Sequence, residues 1–207
     1  MTQHQVKTED ELRSLIGDPV HELVLAKSTD KLTAPLCAYI EQSPFLCLAT
    51  HDSEGSSDVS PRGDAPGFVQ ILDDKTLVIP ERPGNRRLDS VVNIINQPRL
   101  ALVFMIPGVL ETVRINGSGV VSTDPELRAR CAVKGKEPEL VIVVTVEEAL
   151  GHCSKAFRRS KLWQDDYRPR GKVPSLTEMM SGHLQLDTQM LELLDAAIED
   201  DAKNRMY

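Results

Sequence analysis

The sequence predicts a mainly β protein with peripheral helices, in which six antiparallel strands close into a barrel. Six apolar runs are rich in strand-forming residues and lie between residues 45 and 149. Most of them are joined by turns and few by helical crossovers, which is typical of antiparallel sheets. The 207-residue chain has no internal repeat, so one domain is expected.

Helices are predicted at both ends of this strand-rich region. A hydroxyl three residues before a carboxylate can cap a helix reciprocally, and three such pairs occur: Thr8 with Glu11, Thr123 with Glu126, and Ser175 with Glu178. Residues 20 to 42 carry helical spacing that is interrupted near Ser28 and Pro35, which predicts two short helices.

The six predicted strands follow in order. The run "FLCLATH" comes first, and "GFVQIL" and "TLVIP" flank the turn "DDK" as in a hairpin. Three more strands are predicted at "LALVFMI", "ETVRINGSGVV" and "LVIVVTVEEA". Within the fifth, Asn116-Gly117 predicts either a bulge that bends one long strand or a hairpin turn, and both interpretations stay open.

The composition excludes several classes of function. A net charge of -7 argues against nucleic acid as the main partner, because binding to a phosphate backbone requires a basic surface. The four cysteines form no C-x-x-C pair, so no metal site is expected. The amino terminus lacks the apolar segment of a signal peptide and no apolar run is long enough to span a membrane, so we expect a cytoplasmic protein without a membrane partner.

The segment "IPERPGNRRLDSVVNII" at residues 79 to 95 predicts an amphipathic helix that begins beside a cluster of arginines. Asn85 is a suitable N-cap. The apolar positions of the helix follow a spacing that predicts one buried stripe, made of Leu88, Val91, Val92 and Ile95.

Arg82, Arg86 and Arg87 lie at the start of this helix, where the helix dipole disfavours cations. A phosphate bound to the free amides would reverse that effect and recruit the guanidinium groups. Alternatively, the arginines face solvent or pair with Glu81 and Asp89. The spacing alone leaves both interpretations open.

Two further segments are candidates for ligand contacts. "SDVSPRGDAPGFV", at residues 57 to 69, is stiffened by proline and lets the backbone approach a flat aromatic ligand, or else forms a surface loop with an Arg62 to Asp64 pair. "GHCSKAFRRSKLW" places Lys155 and Arg159 four residues apart, as anion contacts or a solvated face. Its Cys153 lacks a defined catalytic partner, and common hydrolase, zinc-protease and nucleotide-binding motifs do not occur.

Taken together, residues 43 to 104, "ETVRINGSG" and "HCSKAFRRSKLW" resemble the split-barrel flavoproteins related to pyridoxamine 5′-phosphate oxidase. The blocks "SPRGD", "GN-R-DS" and "HC-KA--RS-LW" resemble the branch of probable FMN-dependent enzymes. The resemblance covers roughly residues 15 to 165. It implies a six-stranded split barrel that forms a homodimer with FMN at the subunit interface.

The resemblance also implies which residues contact FMN. The phosphate would be held by Arg82, Asn85, Arg86 and Arg87. The isoalloxazine would lie beside Ser60, Pro61, Arg62, Gly63 and Asp64, with Ile79 and Pro80 behind it. Thr112 would face the flavin, and Lys155 and Arg159 are expected as further contacts, supplied either by the same chain or by the partner subunit.

The resemblance implies an FMN-dependent oxidoreductase that transfers hydride at the flavin, with an unidentified small-molecule substrate and NADH or NADPH as a candidate reductant. The alternatives are a flavin-binding sensor or carrier without turnover, and a barrel that holds a deazaflavin or a heme with His152 or Cys153 as axial ligand. The expected organisation is a single domain over 1–207, with helices at 1–42, a flavin-binding core at 43–165 and a helical extension at 166–207. The acidic extension lacks the basic, aromatic end by which pyridoxamine 5′-phosphate oxidase grips its substrate, so that reaction is not expected.

Overall fold

The computed structural model describes residues 4–19, 21–164, 173–184, 187–204 and 206. Most of the strands are consecutive in the sequence, and helices flank them at both ends. The elements are α1 (Glu9–Ile16), α2 (Glu22–Ala26), α3 (Ala34–Gln42), β1 (Phe45–His51), β2 (Ser57–Gly63), β3 (Gln70–Ile71), β4 (Thr76–Pro80), α4 (Asp89–Asn96), β5 (Arg99–Met105), β6 (Thr112–Ser122), α5 (Pro125–Arg130), β7 (Val141–His152), α6 (Lys155–Ser160), α7 (Leu176–Leu184) and α8 (Thr188–Asn204).

The strands form one antiparallel sheet in the order β2-β1-β5-β6-β7-β4-β3. Side chains from β1 and β4, near opposite ends of this order, belong to the same buried cluster as those of β5, β6 and β7. The sheet therefore curls around one core, as the predicted barrel requires. Large side chains fill that core completely, among them Phe104, Leu102, Ile115 and Ile142 at 0% exposure.

The sheet has seven strands within the described residues, one more than predicted. The additional strand is β2, whose residues Pro61 and Gly63 indicated a stiff loop rather than a strand. Proline lacks a backbone donor and is tolerated in a sheet only at an edge or a bulge. Because β2 pairs only with β1, it is an edge strand and can contain Pro61.

The capping signals locate the helix starts within about one residue. Thr8 Oγ1 accepts a hydrogen bond from Glu11 N at 3.2 Å, and Ser175 and Glu178 cap each other reciprocally. The third prediction was displaced by one residue, since Asp124 caps α5 in place of Thr123 by accepting from Glu126 N and Leu127 N. Aspartate is at least as good a cap as threonine.

The ambiguity at Asn116-Gly117 is resolved as a bulge in the pairing of the continuous strand β6 with β7. Asn116 pairs with Glu148 while Gly117 pairs with Val146, so Glu147 of β7 is the extra residue. A bulge of this kind increases the local twist and helps a sheet to close. The hairpin alternative is excluded.

The amino-terminal segment is attached to the barrel beside this bulge. Thr29 forms an isolated bridge with Ala149, and Ser28 Oγ donates to Glu148 Oε1 at 2.6 Å. Asn116 Nδ2 also donates to the Glu148 carboxylate, at 2.5 Å. The hydrogen bond from Ser28 is the main cause that lowers the pKa of Glu148, against the opposite effect of burial, and Asn116 and Arg114 lower it further.

We expect the Glu148→Gln variant to lose stability in a pH-dependent way. A carboxylate whose pKa is depressed by folding stabilises the protein above its ordinary pKa, and this contribution is lost as the pH falls through the lowered value. Because the side chain is 38% exposed, the loss at pH 7 should be only about 1 kcal/mol. Urea unfolding of both proteins should show the difference at pH 7 and its disappearance near pH 3; a difference that does not change with pH would contradict the assignment.

Candidate functional site

The candidate site is a cleft of about 1150 Å³ along the seam of the barrel, where the edge strand β2 faces the end of β4. One wall is β2, from Asp58 to Gly63. The other is the loop between β4 and α4 together with the start of α4, and residues 136–140 complete the rim. The two walls belong to strands that are not hydrogen-bonded to each other, which leaves the space between them open.

The cleft brings together most of the residues that the sequence nominated. Nine of the fourteen line it: Ser60, Pro61, Arg62, Gly63, Pro80, Arg82, Asn85, Arg86 and Arg87. Two distant segments, "SPRGD" and "ERPGNRR", therefore form one surface, because the curl of the sheet places β2 opposite the β4–α4 loop.

The other five nominated residues lie elsewhere. Ile79 is fully buried in the core, and Thr112 is buried at the start of β6 opposite His152. Asp64 lies behind Arg82, with a side chain only 3% exposed. Lys155 and Arg159 are exposed on α6 and are not part of the cleft wall of their own chain.

The helix at the edge of the cleft differs from its predicted form. The N-cap of α4 is Leu88, in the left-handed region with φ 60°, and not Asn85. Asn85 Oδ1 instead accepts from Arg87 N at 3.0 Å and stabilises the preceding turn. The α4 start therefore has no side-chain cap within the described residues, and its first residues line the cleft.

The buried stripe of α4 was predicted correctly only at Val91. Ser90, Val91 and Ile94 are the buried positions, whereas Leu88, Val92 and Ile95 are 41%, 49% and 66% exposed. The core-facing side of the helix is rotated by about one position from the predicted stripe. An apolar face of α4 is thereby left toward solvent, beside the cleft.

Two buried ion pairs cross the seam. Arg62 of β2 pairs with Glu81 on the opposite wall, and Asp64 Oδ2 accepts from Arg82 Nε at 2.7 Å. All four side chains are less than one fifth exposed. The pairing of Arg62 with Asp64 within one loop is therefore wrong, because each residue pairs across the seam. Side chains two residues apart on an extended strand are held well apart by its rise per residue, whereas the opposite wall of the cleft brings a partner within contact distance.

The arginines of the cleft differ in how many of their hydrogen-bond donors already have a partner within the chain. Arg87 Nε pairs with Asp89 Oδ2 at 2.5 Å, although both side chains are exposed. Arg86 has no hydrogen bond or ion pair to any other part of the chain that the structure describes, and it adopts φ 59°. The Nε of Arg62 is buried without a hydrogen-bond partner. Backbone strain and orphaned donors of this kind concentrate at ligand sites.

Several lining residues carried no sequence signal. Asp58 is a lining residue that accepts from Ser90 Oγ at 2.9 Å, so it ties β2 to α4. Glu81 was considered only as a partner for the nearby arginines. The rim at 136–140 comes from a segment without any motif, and only the fold brings it to the cleft.

His152 and Cys153 lie at the exposed end of β7 and do not line the cleft. Within one chain, neither residue is placed to act as an axial ligand for a group bound between β2 and the β4–α4 loop. Among the described residues, no helix has the length and apolar character needed to cross a bilayer.

These features define a mainly β, antiparallel protein with an arginine-containing cleft at the seam of its curled sheet. The chain belongs to the pyridoxamine 5′-phosphate oxidase family, whose sequence model matches residues 32–153. The match includes the whole of β1 to β7 and every residue of the cleft. No curated protein sequence matches the chain.

Solved structures with a similar fold include HupZ of Group A Streptococcus, at 18% identity and a TM-score of 0.48 over 58% of this chain and 93% of that one. A candidate pyridoxamine 5′-phosphate oxidase of Lactobacillus delbrueckii is 25% identical, with a TM-score of 0.45 over 59% and 95%. An FMN-binding protein of Syntrophomonas wolfei is 10% identical, with a TM-score of 0.41 over 56% and 86%. The family assignment rests on the sequence match.

Proposed function

We propose that this protein binds FMN in the seam cleft and acts as an FMN-dependent oxidoreductase on a small-molecule substrate. The observation that carries the proposal is the wall formed by residues 80–90, in which Arg86 is unpaired within the described chain and the start of α4 is uncapped. Both features favour a phosphate group. Family membership supports a flavin as the molecule that carries it.

The residues present fit FMN in size and in polarity. Ligand pockets typically measure about 300–1000 Å³, so a cleft of about 1150 Å³ accommodates a mononucleotide and leaves room for a second molecule. The buried Nε of Arg62 needs a hydrogen-bond acceptor, and a flavin ring carries several. In the proposal, Arg82, Asn85, Arg86 and Arg87 hold the phosphate, and Ser60 to Gly63 lie along the ring.

When bound, FMN supplies the hydride and electron transfer of the reaction. The chain itself binds and orients the cofactor and excludes water from one side of the cleft. The stiff backbone around Pro61 allows close approach without a large entropic cost. No side chain of the cleft needs to act as a nucleophile in this proposal.

A second copy of the chain covers the open side of the cleft in this proposal. The exposed apolar face of α4, made of Leu88, Val92 and Ile95, lies beside the cleft, and Val59 of β2 is 64% exposed on the opposite wall. Apolar patches of this kind mark interaction surfaces when they are contiguous. Lys155 and Arg159 would then act on the cleft of the partner subunit, which agrees with their lack of ion pairs within the described residues of their own chain.

We expect the protein to bind FMN more tightly than riboflavin, because only FMN carries the phosphate. The Arg86→Ala variant should bind FMN roughly tenfold to a hundredfold more weakly, with little change for riboflavin. Quenching of flavin fluorescence measures both affinities on protein stripped of its ligand. Absorbance and mass analysis of the material that copurifies should identify FMN.

The matched control is Arg99→Ala, which also removes an arginine but at an exposed pair with Glu147 outside the cleft. It should leave both affinities unchanged. Equal affinity of the native protein for FMN and riboflavin would contradict the phosphate site. If the copurified material is a deazaflavin, or if it shows the absorbance spectrum of heme, that cofactor takes the place of FMN in the proposal.

Turnover separates an enzyme from a flavin-binding sensor or carrier. We expect NADH or NADPH to reduce the bound flavin without oxygen, and oxygen or another acceptor to reoxidise it. Stopped-flow absorbance measures both half-reactions. Tight FMN binding with no reduction by either nucleotide would favour the sensor or carrier.

A further inference from the structure

Asp64 is a buried carboxylate that stands behind the cleft wall instead of facing the cleft. It follows β2, its side chain is 3% exposed, and it is not among the residues that line the cleft. Its backbone N donates to Pro44 O at 3.1 Å, and its Oδ1 accepts from Ala65 N at 2.8 Å. The carboxylate is therefore fixed by its own backbone surroundings.

Arg82, in contrast, lines the cleft and is held from two directions. Its Nε donates to Asp64 Oδ2 at 2.7 Å, and its Nη1 donates to Cys131 O at 2.9 Å, at the end of α5. An arginine side chain has four rotatable bonds, and two anchors at separate nitrogens select one orientation of its planar group. The guanidinium group is thus oriented before any ligand arrives.

We propose that Asp64 is a positioning residue: it raises the affinity of the cleft for a phosphate-bearing ligand by orienting Arg82, although it carries the same sign of charge as the phosphate. This inference rests on the proposed function, because it concerns the same cleft and ligand. It changes the role of Asp64 from a residue beside the flavin ring to one that acts through Arg82. Preorganised binding groups increase affinity because less freedom is lost on binding.

The sign of the effect separates positioning from simple electrostatics. Coulomb's law alone predicts that the removal of an acid near the site strengthens anion binding. Positioning predicts the opposite, because Arg82 without the Asp64 carboxylate loses one of the contacts that orient its guanidinium group. A general loss of structure would weaken FMN and riboflavin equally, whereas a misplaced Arg82 affects only the ligand with a phosphate.

The test is the Asp64→Asn variant of the full chain, measured with FMN and with riboflavin by fluorescence quenching. We expect FMN to bind roughly tenfold or more weakly, and riboflavin to bind as in the native protein. The matched control is Asp30→Asn, which removes the same charge from an exposed pair with Lys75 outside the cleft. It should leave FMN affinity unchanged.

Native or tighter FMN binding by Asp64→Asn would overturn the inference, as would an equal loss for both ligands. If Asp64→Asn fails to fold, Arg82→Lys tests the same point, since lysine keeps the charge but cannot reach Asp64 and Cys131 O together in one plane. Its FMN affinity should fall while its riboflavin affinity stays constant, and native FMN affinity would overturn the inference. A native protein that does not distinguish FMN from riboflavin would instead refute the proposed phosphate site, and the positioning role with it.

Discussion

Replacement of Gly117 by alanine is expected to prevent stable folding of the barrel. A Cβ atom at this position would lie deep inside the contact distance of the Thr145 carbonyl oxygen on β7. That oxygen belongs to the backbone at the bulge and cannot move aside without breaking the β6–β7 pairing, which holds the longest two strands together. Backbone clashes of this kind belong to the rare substitutions that cost more than about 4 kcal/mol.

The measurement is thermal and urea unfolding of the purified variant followed by circular dichroism. Two glycines nearby provide matched controls. A Cβ at Gly151 meets nothing within 4 Å, so Gly151→Ala should be close to neutral. At Gly119 the nearest atom is the flexible end of Leu100 at 2.7 Å, so Gly119→Ala should show an intermediate loss. A Gly117→Ala protein as stable as Gly151→Ala would contradict the bulge geometry.

Introducing a charge into the apolar face of α4 is expected to separate the proposed dimer. Val92 lies at the centre of that face and is 49% exposed in the single chain. In an interface, Val92→Glu would bury an unpaired carboxylate, which is strongly unfavourable. We expect the dimer to dissociate at least a hundredfold more readily, and FMN binding to weaken because one side of the cleft is uncovered.

Light scattering across a dilution series measures the association, and fluorescence quenching measures FMN binding. Val120→Glu is the control, because Val120 is similarly exposed, at 61%, but lies on β6 and does not line the cleft. It should leave the dimer intact. A native protein that is monomeric at all concentrations would contradict the proposed dimer. A Val92→Glu variant that still forms dimers would contradict the placement of the second copy on this face of α4.

The two ion pairs across the seam, Arg62 with Glu81 and Asp64 with Arg82, are not expected to add much to the stability of the fold. Removal of one partner from a buried pair costs about 3–5 kcal/mol, whereas the pair itself often adds little stability compared with apolar residues. The four partly buried charges at the seam are therefore better explained by the site than by the fold. Burial raises the pKa of the neighbouring Cys131 thiol, and the nearby Arg82 guanidinium opposes this effect.

The sequence predicted the mainly β fold and most of the candidate site. Apolar runs rich in strand-forming residues identified β1 and β3 to β7. β1 and β5 bury alternate side chains in the core, whereas β4 is buried along most of its length. The arginine-rich turn before α4 was recognised because its charges conflict with the helix dipole. The family followed from several blocks in a fixed order, and the sequence model confirmed it.

The errors share one cause, which is that neighbouring elements override local preferences. Pro61 indicated a loop, yet an edge position next to β1 makes it part of a strand. Asn85 was the better cap by residue type, but the chain continues to Leu88 before α4 begins. In the same helix, Val92 and Ile95 are exposed instead of buried. Register and exposure depend on what lies opposite, and a single segment does not contain that information.

The sequence by itself determined the elements of this protein and the residue types of its site: the strands, the arginine cluster and the "SPRGD" segment. Only the tertiary structure decided how the charges are paired, since Arg62 meets Glu81, and Asp64 meets Arg82, across strands that do not hydrogen-bond to each other. The physical reason is that local periodicity reports which side of an element is apolar. Which two distant side chains meet depends on how the whole sheet curls.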